Sequence, residues 1–259
     1  MNLDKKTALV TGASRGIGRA IAIELANSGI RRLIVVARNH DNLVQLATEI
    51  HQSNPKVEVI VLPLDLTQPI TVNTEIAKAW RDYGPINLLV NCAGVAYQGP
   101  FLQARFPEVC QEISLNLLGL YAVTRCVARR MASQQEGTIV NVSSLMGKVA
   151  APTMATYSAT KFAILGFSQA LRSELAADNI KVVTFLPTLT DTDMVKDLQR
   201  FRWVKAMTPQ RVAQVLIRGL QNDRSEILVG WQSHLAVYCQ NLAPWLMDRI
   251  LLLSIPQSV

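Results

Sequence analysis

Tyr157 and Lys161 are one turn apart in a predicted helix, so their side chains share one face of that helix. A lysine ammonium close to a tyrosine hydroxyl stabilises the phenolate, which lets the tyrosine release and accept a proton at moderate pH. Ser144 precedes this helix and follows a strand-like run, where its hydroxyl could donate a hydrogen bond to a reacting oxygen atom. These residue types at this spacing predict general acid–base chemistry with Tyr157 as the proton carrier.

A glycine-rich turn near the N-terminus reads TGASRGIG over residues 11–18, between a predicted strand and a predicted helix. Glycines permit a tight turn there, and they let backbone N–H groups and the positive end of the helix dipole approach a pyrophosphate. We therefore expect the turn to bind the phosphates of a nucleotide, through Gly12, Ser14, Arg15, Gly16, Ile17 and Gly18.

The elements that must position these residues alternate along the chain. Continuously hydrophobic runs, typical of strands buried on both faces, occur at residues 7–10, 33–37, 57–62, 86–91, 138–142, 180–186 and 226–229. Amphipathic helical patterns separate these runs; Ile17, Ile21 and Leu25, for example, recur at helical spacing before Gly29. The alternation predicts an α/β protein, with one domain over residues 1–259 in which helices cover both faces of a doubly wound parallel sheet of about seven strands. Function is expected in the residues that follow each strand.

Composition narrows the class of protein. The chain has 259 residues, of which 49% are hydrophobic and 17% charged, and this balance excludes disordered and fibrous proteins. Lys and Arg outnumber Asp and Glu by 26 to 19, and the net charge of +7 favours an anionic partner. The basic residues are scattered, so we expect no nucleic-acid partner. Four cysteines without CxxC pairing, three histidines without ligand spacing and an N-terminus unlike a signal peptide predict no metal site, no disulfides and a cytoplasmic location.

The ordered motifs resemble those of the short-chain dehydrogenase/reductase family, and the resemblance covers residues 5–230. The turn at 11–18 matches the family's TGxxxGxG pattern, and NCAG at 91–94 matches its NNAG motif with Cys92 in place of an asparagine. Tyr157 and Lys161 match its YxxxK motif, and Ser144 lies thirteen residues before Tyr157, the interval usual in the family. The resemblance implies a Rossmann-type fold and an enzyme that transfers hydride between a nicotinamide nucleotide and a carbonyl group.

The resemblance also implies a catalytic tetrad of Asn116, Ser144, Tyr157 and Lys161. Ser144 would hold the substrate oxygen, and Tyr157 would act as general acid in reduction and as general base in oxidation. Lys161 would also hold the nicotinamide ribose, while Asn116 would support a chain of water molecules that returns protons from solvent. Asn116 has a second interpretation, in which it satisfies buried backbone groups.

The second predicted strand ends in Ala37 and Arg38, at the place where members of the family that use NAD carry an acidic residue. An arginine attracts a 2′-phosphate that a carboxylate would repel, and Arg15 offers a second cation, so we expect NADP(H) as the cofactor. Asp65 is expected near the adenine, although aspartate also favours turns. The cofactor contacts implied by the resemblance are Asp65, Leu66, Asn91, Ala93, Gly94, Tyr157, Lys161, Pro187, Thr190 and Thr192.

Two segments before residue 230 depart from the family pattern. Thr188 replaces the glycine of a PGxxxT turn, which predicts either a strained backbone or a different path of the loop. Residues 194–207, where the family has its substrate lid, mix apolar with basic side chains. This segment could cover a hydrophobic substrate that bears an acidic group, or it could be an ordinary amphipathic surface helix.

An apolar extension follows at residues 231–259. Pro244, Asp248 and Arg249 interrupt it, so we predict no transmembrane span. Three roles are open: a wall of the substrate pocket, a contact between subunits, or a helix lying on a membrane surface. Similar tails recur in relatives that reduce lipid-like ketones, and this favours a bulky apolar substrate.

We therefore expect an NADP(H)-dependent oxidoreductase that interconverts a hydrophobic ketone and a secondary alcohol, assembled as a homodimer or homotetramer. A 3-oxoacyl-(acyl-carrier-protein) reductase of fatty-acid synthesis is an alternative, since a basic surface would suit an acidic carrier protein, but the chain lacks the VDGG-like terminus of those enzymes. A regulatory protein that senses the cofactor is a further alternative, and such relatives have typically lost residues of the tetrad.

Overall fold

The computed structural model describes residues 1–196, 198–199 and 201–254. Its strands are β1 (Thr7–Thr11), β2 (Arg32–Ala37), β3 (Glu58–Pro63), β4 (Leu88–Asn91), β5 (Gly137–Val142), β6 (Ile180–Leu186) and β7 (Glu226–Leu228). They form one parallel sheet in the order β3-β2-β1-β4-β5-β6-β7, in which the strand order reverses between β1 and β4. The prediction of a doubly wound α/β fold is confirmed, and the predicted strand ends are shifted by no more than two residues.

Helices cover both faces of this sheet. They are α1 (Gly16–Asn27), α2 (His40–Ser53), α3 (Pro69–Tyr83), α4 (Phe106–Ile113), α5 (Leu120–Gln134), α6 (Ala155–Glu174), α7 (Pro209–Gln221), α8 (Trp231–Leu242) and α9 (Pro244–Ser254). A π-helical turn, Ser114–Gly119, joins α4 to α5. Short 3-10 turns lie at Phe101–Gln103, Leu145–Gly147 and Asp193–Val195.

Local sequence explains where several helices begin. α2 begins after Asn39, whose Oδ1 accepts a hydrogen bond from the Asn42 backbone N–H at 2.8 Å. α7 begins after Thr208, whose hydroxyl oxygen accepts one from the Arg211 N–H, and Pro209 suits the first turn. α1 differs, because no side chain caps its N-terminus and its first turn contains no acidic residue. The backbone N–H groups at that end are therefore available to an anion.

The core lies on both sides of the sheet, which is why the strands read as continuous apolar runs. Ala8 and Val10 of β1 pack in a cluster with buried side chains of α1, α2 and α7. Leu9, between them, packs on the opposite face with side chains of α3 and α5. The sheet thus holds the ends of its strands at fixed positions for the loops that follow them.

The last two helices, α8 and α9, are separated by Ala243 alone. The Ala243 N–H donates to the Cys239 carbonyl at 2.8 Å, and the Ala243 carbonyl accepts from the Met247 N–H at 3.2 Å. In the described part of the chain, no helix is long and apolar enough to cross a membrane. The final residues of the predicted extension, 255–259, lie outside the described residues.

Candidate active site

A cavity of about 580 Å³ opens beyond the carboxyl ends of the central strands, where the strand order reverses. Most of the residues that the sequence predicted to act together line this cavity. Those that line it are Gly12, Ser14, Arg15, Gly16, Ile17, Gly18, Arg38, Leu66, Ala93, Gly94, Ser144, Tyr157, Lys161, Pro187, Thr190 and Thr192. Three other predicted residues, Asn116, Asp65 and Asn91, do not line it.

Tyr157 and Lys161 lie on α6, as their spacing predicted, and Lys161 Nζ is 5.4 Å from the centroid of the Tyr157 ring. Lys161 is buried, and its Nζ donates to the Val142 carbonyl at 3.1 Å. Burial lowers the pKa of Lys161 to about 8. Burial also raises the pKa of Tyr157 to about 12, against the opposing effect of a hydrogen bond with Ser144. Desolvation thus has the largest effect on the pKa of Tyr157.

Ser144 is placed by the end of β5 and by the 3-10 turn that follows it. Its Oγ accepts a hydrogen bond from the Met146 N–H at 3.1 Å, so its hydroxyl proton is free to be donated towards Tyr157 or a substrate. Ser143 anchors the same loop to α6, because its hydroxyl donates to the Lys161 carbonyl at 2.8 Å. A Cβ at Gly147 would stand 2.5 Å from Ser143 Oγ, so this glycine permits the close approach of the loop to α6.

Asn116 lies in the π-helical turn, fully buried behind the cavity wall. Its amide brackets the backbone of Val95, with Oδ1 accepting from the Val95 N–H at 2.8 Å and Nδ2 donating to the Val95 carbonyl at 2.9 Å. A Cβ at Gly94 would meet Asn116 Oδ1 at 3.1 Å and Lys161 Nζ at 3.7 Å. Glycine at this position therefore leaves room for the asparagine amide and the lysine ammonium to lie close to the backbone.

Two residues that were predicted to contact the cofactor form hydrogen bonds with other protein groups in the structure. Asp65 Oδ1 accepts hydrogen bonds from the Thr67 N–H at 3.0 Å and from the Thr67 hydroxyl at 2.9 Å, which is the turn role. Asn91 is buried at the end of β4, where its Nδ2 donates to Thr124 Oγ1 and to Asn141 Oδ1. These bonds hold both side chains away from the cavity lining.

Glu112 is a buried carboxylate beside the tetrad that the sequence analysis missed. It lies one turn before Asn116, is only 2% exposed, and accepts the Tyr97 N–H at 2.8 Å through Oε1. Burial raises the pKa of Glu112, and the Glu112 charge in turn raises the pKa of both Tyr157 and Lys161. Its position one helical turn before Asn116 could have indicated that it lies near the site. Acidic residues on amphipathic helices usually face solvent, however, so its burial was not expected.

The glycine-rich end of the cavity fits a phosphorylated nucleotide. Gly12 and Gly16 adopt φ of +68° and +59°, and a Cβ at Gly12 would stand 2.8 Å from the Ala93 backbone. The uncapped start of α1 lies here, and Arg15 and Arg38 line the same region. Among the described lining residues the only carboxylate is that of Asp193, which pairs with a lysine of its own turn. The donor set thus favours anionic groups.

The loop after β6 has Thr188 where the family pattern has a glycine. Thr188 is outside the positive-φ region, so the strain that a glycine would relieve does not arise. The Thr190 hydroxyl donates to the Thr188 carbonyl at 2.8 Å, and Thr190 pairs with Met207 in an isolated bridge. In residues 194–207 the structure describes a 3-10 turn and irregular chain, not a surface helix; positions 197 and 200 lie outside the described residues.

The other end of the cavity is walled mainly by apolar side chains. They come from the loops after β5 and β6, from residues 194–207, which we call the lid segment, and from α8 and α9. The apolar lining residues are Val149, Met154, Leu189, Met194, Val195, Leu198, Phe201, Val204, Ala236, Met247 and Leu251. No cluster of His, Cys, Asp and Glu in the described part of the chain could hold a metal ion.

A doubly wound sheet whose glycine-rich turn shares one cavity with a Ser–Tyr–Lys cluster defines a nucleotide-dependent oxidoreductase. A family model described as short chain dehydrogenase matches residues 6–203, and the chain belongs to this family. It is an oxidoreductase of the kind that acts on CH–OH donors.

Known relatives agree with this class. 3-Ketodihydrosphingosine reductase of Mus musculus is 37% identical over 71% of this chain and 56% of that enzyme. 3-Oxoacyl-[acyl-carrier-protein] reductase of Escherichia coli (strain K12) is 32% identical over 76% of this chain and 79% of that enzyme. A short-chain dehydrogenase from Sphingobium yanoikuyae, solved in complex with NADPH, is similar with a TM-score of 0.81, at 29% identity over 98% of each chain. Other structures of this fold hold NADP or NAD.

Proposed function

We propose that this protein is an NADP(H)-dependent reductase of apolar, lipid-like ketones, working reversibly on the corresponding secondary alcohols. The observation that carries the proposal is a continuous cavity with a cationic, glycine-rich end and an apolar end, and with Ser144, Tyr157 and Lys161 in its lining. The mouse relative, by its name, reduces a ketone, which supports the reaction class.

Each residue of the tetrad has its own role in the proposed reaction. Ser144 and Tyr157 donate hydrogen bonds to the carbonyl oxygen of the substrate and stabilise the negative charge that develops on it. A bound nicotinamide nucleotide supplies the hydride. Because burial raises the pKa of Tyr157 to about 12, the hydroxyl keeps its proton until that charge develops, and then transfers it to the oxygen. The Lys161 ammonium stabilises the resulting phenolate, and Asn116 holds the backbone of Val95 next to this site through both atoms of its amide.

The preference for NADP(H) over NAD(H) is assigned to Arg38 and Arg15. Ala37 stands where a carboxylate would select NAD, and Asn39 is engaged in capping α2. Two guanidinium groups in the lining can form charge-assisted hydrogen bonds with a 2′-phosphate. The remaining predicted contacts in the lining would hold the rest of the nucleotide.

The test is the rate of NADPH oxidation by the purified protein with methyl ketones of increasing chain length and with a 3-oxoacyl thioester. Turnover that rises with apolar length supports the proposal, because the apolar wall gains contact with each methylene. Tyr157→Phe is the control; it should bind NADPH and lose most of its turnover. Retention of full activity by this variant would contradict the mechanism.

The alternatives give different results in the same panel. Selective turnover of the thioester would favour the reductase of 3-oxoacyl chains, which the Escherichia coli relative supports. NADPH binding without turnover of any compound would favour a cofactor-sensing protein and overturn the enzymatic proposal.

We further propose a homodimer or homotetramer in the cytoplasm. Exposed apolar side chains on α4, the π-helical turn, α5 and α6 offer a surface for self-association, namely Phe106, Leu118, Tyr121 and Phe162. The four cysteines are free thiols, in keeping with a reducing compartment. Light scattering of the purified protein tests the assembly, and a monomer at micromolar concentration would contradict it.

A further inference from the structure

The two C-terminal helices present one side to the cavity and the opposite side to the surface of the protein. Their inner sides face the cavity, through Gln232 and Ala236 of α8 and through Met247, Leu251 and Ser254 of α9. These positions recur at helical spacing of three and four residues, so each helix presents one stripe to the cavity. A helix that only closed a pocket would be polar on the side away from it.

The side away from the cavity is also apolar and is exposed. We call it the outer face and define it as Trp203 of the lid segment, Trp231, Leu235, Tyr238 and Leu242 of α8, and Trp245, Leu246, Ile250, Leu252 and Leu253 of α9. The three tryptophans are 68%, 73% and 63% exposed. The lid segment is joined to both helices, because the Trp203 carbonyl accepts from Gln232 Nε2 at 3.2 Å and the Arg202 N–H donates to the Ser254 carbonyl at 3.0 Å.

Positively charged side chains neighbour the residues of the outer face. Arg202, Lys205 and Arg249 are exposed, and the Arg249 guanidinium lies 5.9 Å from the centroid of the Trp245 ring. None of the three forms a salt bridge with a residue that the structure describes. α8 and α9 contain one acidic residue, Asp248. The surface is therefore apolar and aromatic with an excess of positive charge.

We propose that the outer face docks on the surface of a phospholipid bilayer that contains anionic lipids. Tryptophan and tyrosine favour the headgroup region, where the ring is in an apolar layer and its polar atom meets water. Arginine and lysine beside them attract anionic headgroups, and amphipathic helices bind to membranes in this orientation.

A second copy of the chain fits the outer face less well. In a symmetric dimer the same patch meets itself, so two surfaces with the same excess of positive charge would be brought together across an apolar interface. One aspartate per subunit cannot neutralise them. Anionic headgroups supply the opposite charge, which is why the bilayer is the occupant that the charges favour.

Docking would place the apolar end of the cavity close to the membrane. The lid segment and both helices contribute to the cavity and to the outer face, so a ketone dissolved in the bilayer could reach Tyr157 along an apolar path. The proposal that a substrate reaches Tyr157 from the bilayer rests on the proposed function. The proposal that the outer face docks on the bilayer does not rest on it.

Co-sedimentation of the full-length protein with vesicles tests the docking. One set of vesicles contains phosphatidylcholine alone, and another contains phosphatidylcholine with phosphatidylglycerol. We expect binding to the anionic vesicles that weakens at high salt, since headgroup attraction is screened. A triple variant, Trp231→Gln, Tyr238→Gln and Trp245→Gln, should bind roughly tenfold less or weaker still. Ile70→Gln, an exposed apolar residue at the start of α3, is the matched control and should bind as the parent does.

The outcomes separate docking from catalysis. No binding of the folded parent protein to anionic vesicles would overturn the docking, as would equal binding by the triple variant. If the triple variant instead dissociates the oligomer in light scattering, the outer face is a subunit contact and the proposal is wrong. Reduction of a short, water-soluble ketone without vesicles reports on the proposed function alone, so its loss is distinguishable from loss of docking.

Discussion

At the scale of single residues, three buried ionisable groups set the chemistry of the cavity together. Burial opposes charge on Tyr157, Lys161 and Glu112 alike, raising the pKa of the tyrosine and the carboxyl and lowering that of the lysine. The Glu112 carboxylate supports the protonated forms of both Tyr157 and Lys161. The Glu112 charge therefore favours a protonated tyrosine, which suits reduction, and opposes the effect of burial on the lysine.

Replacing Glu112 by glutamine should shift the pH profile of reduction. Removal of its negative charge lowers the pKa of Tyr157 and of Lys161, so both lose their protons at lower pH. Because reduction needs both protonated, the fall in kcat/KM at alkaline pH should begin roughly half a unit lower or more. The measurement is kcat/KM for NADPH-dependent reduction against pH.

Glu108→Gln is the matched control for this experiment. Glu108 lies one turn earlier on α4 and forms a salt bridge with Arg105, so its removal should leave the alkaline limb in place. Glutamine at 112 can still accept the Tyr97 N–H, which separates the charge of Glu112 from its structural bond. An unchanged profile, or a shift to higher pH, would show that the Glu112 charge does not act on the pair.

Arg38→Asp should reduce the preference for NADPH over NADH by roughly a hundredfold, because an attractive contact with the 2′-phosphate becomes a repulsive one. The measurement is the ratio of kcat/KM for the two nucleotides. Arg31→Asp makes the same charge change just before β2, at the end of the strand away from the cavity, and should leave the ratio unchanged. A constant ratio in Arg38→Asp would remove the arginine from the cofactor assignment.

At the scale of elements, α9 links the C-terminal extension to the substrate pocket. Its buried Met247 lines the cavity, whereas its neighbour Leu246 belongs to the outer face. The role of pocket wall, one of three that the sequence left open, thus has a structural counterpart in the inner sides of α8 and α9. Sequence could not show this, because both sides of these helices are apolar and periodicity alone does not say which side faces a cavity.

Met247→Ser should reduce the preference of the enzyme for long-chain over short-chain ketones. Loss of apolar contact lowers kcat/KM for a long-chain ketone by roughly tenfold while that for a short ketone changes little. The ratio of the two rates is the measurement, since it cancels any loss of folded enzyme. Leu246→Ser should keep the parental ratio. Equal ratios for all three proteins would exclude α9 from the substrate wall.

At the scale of the whole molecule, sequence predicted the sheet well because both of its faces are buried and each strand is a continuous apolar run. Sequence could also predict that the glycine turn, Ser144, Tyr157 and Lys161 lie near one another, because each follows a strand or shares a helix face, and all of them line one cavity. Glu112 was missed because its burial depends on the packing of residues 95–97 against α4, a contact that local patterns do not reveal. The role of Asp65 could not be decided from the sequence, because an aspartate carboxylate can accept hydrogen bonds either within a turn or from a bound cofactor.

The amide pair Asn91 and Asn141 has a consequence for strand alignment. Most of the other residues of β4 and β5 are leucine, isoleucine and valine, so hydrophobic burial alone would specify the alignment of the two strands only weakly. The two asparagines are register partners, and Asn91 Nδ2 donates to Asn141 Oδ1 at 2.9 Å. A slipped pairing would break this buried hydrogen bond, at a cost of about 1–3 kcal/mol for a polar atom that loses its partner in the core. Gly94 and Ser144 follow these strands within three residues, so the alignment that this bond favours also fixes the relative position of two loops that line the cavity.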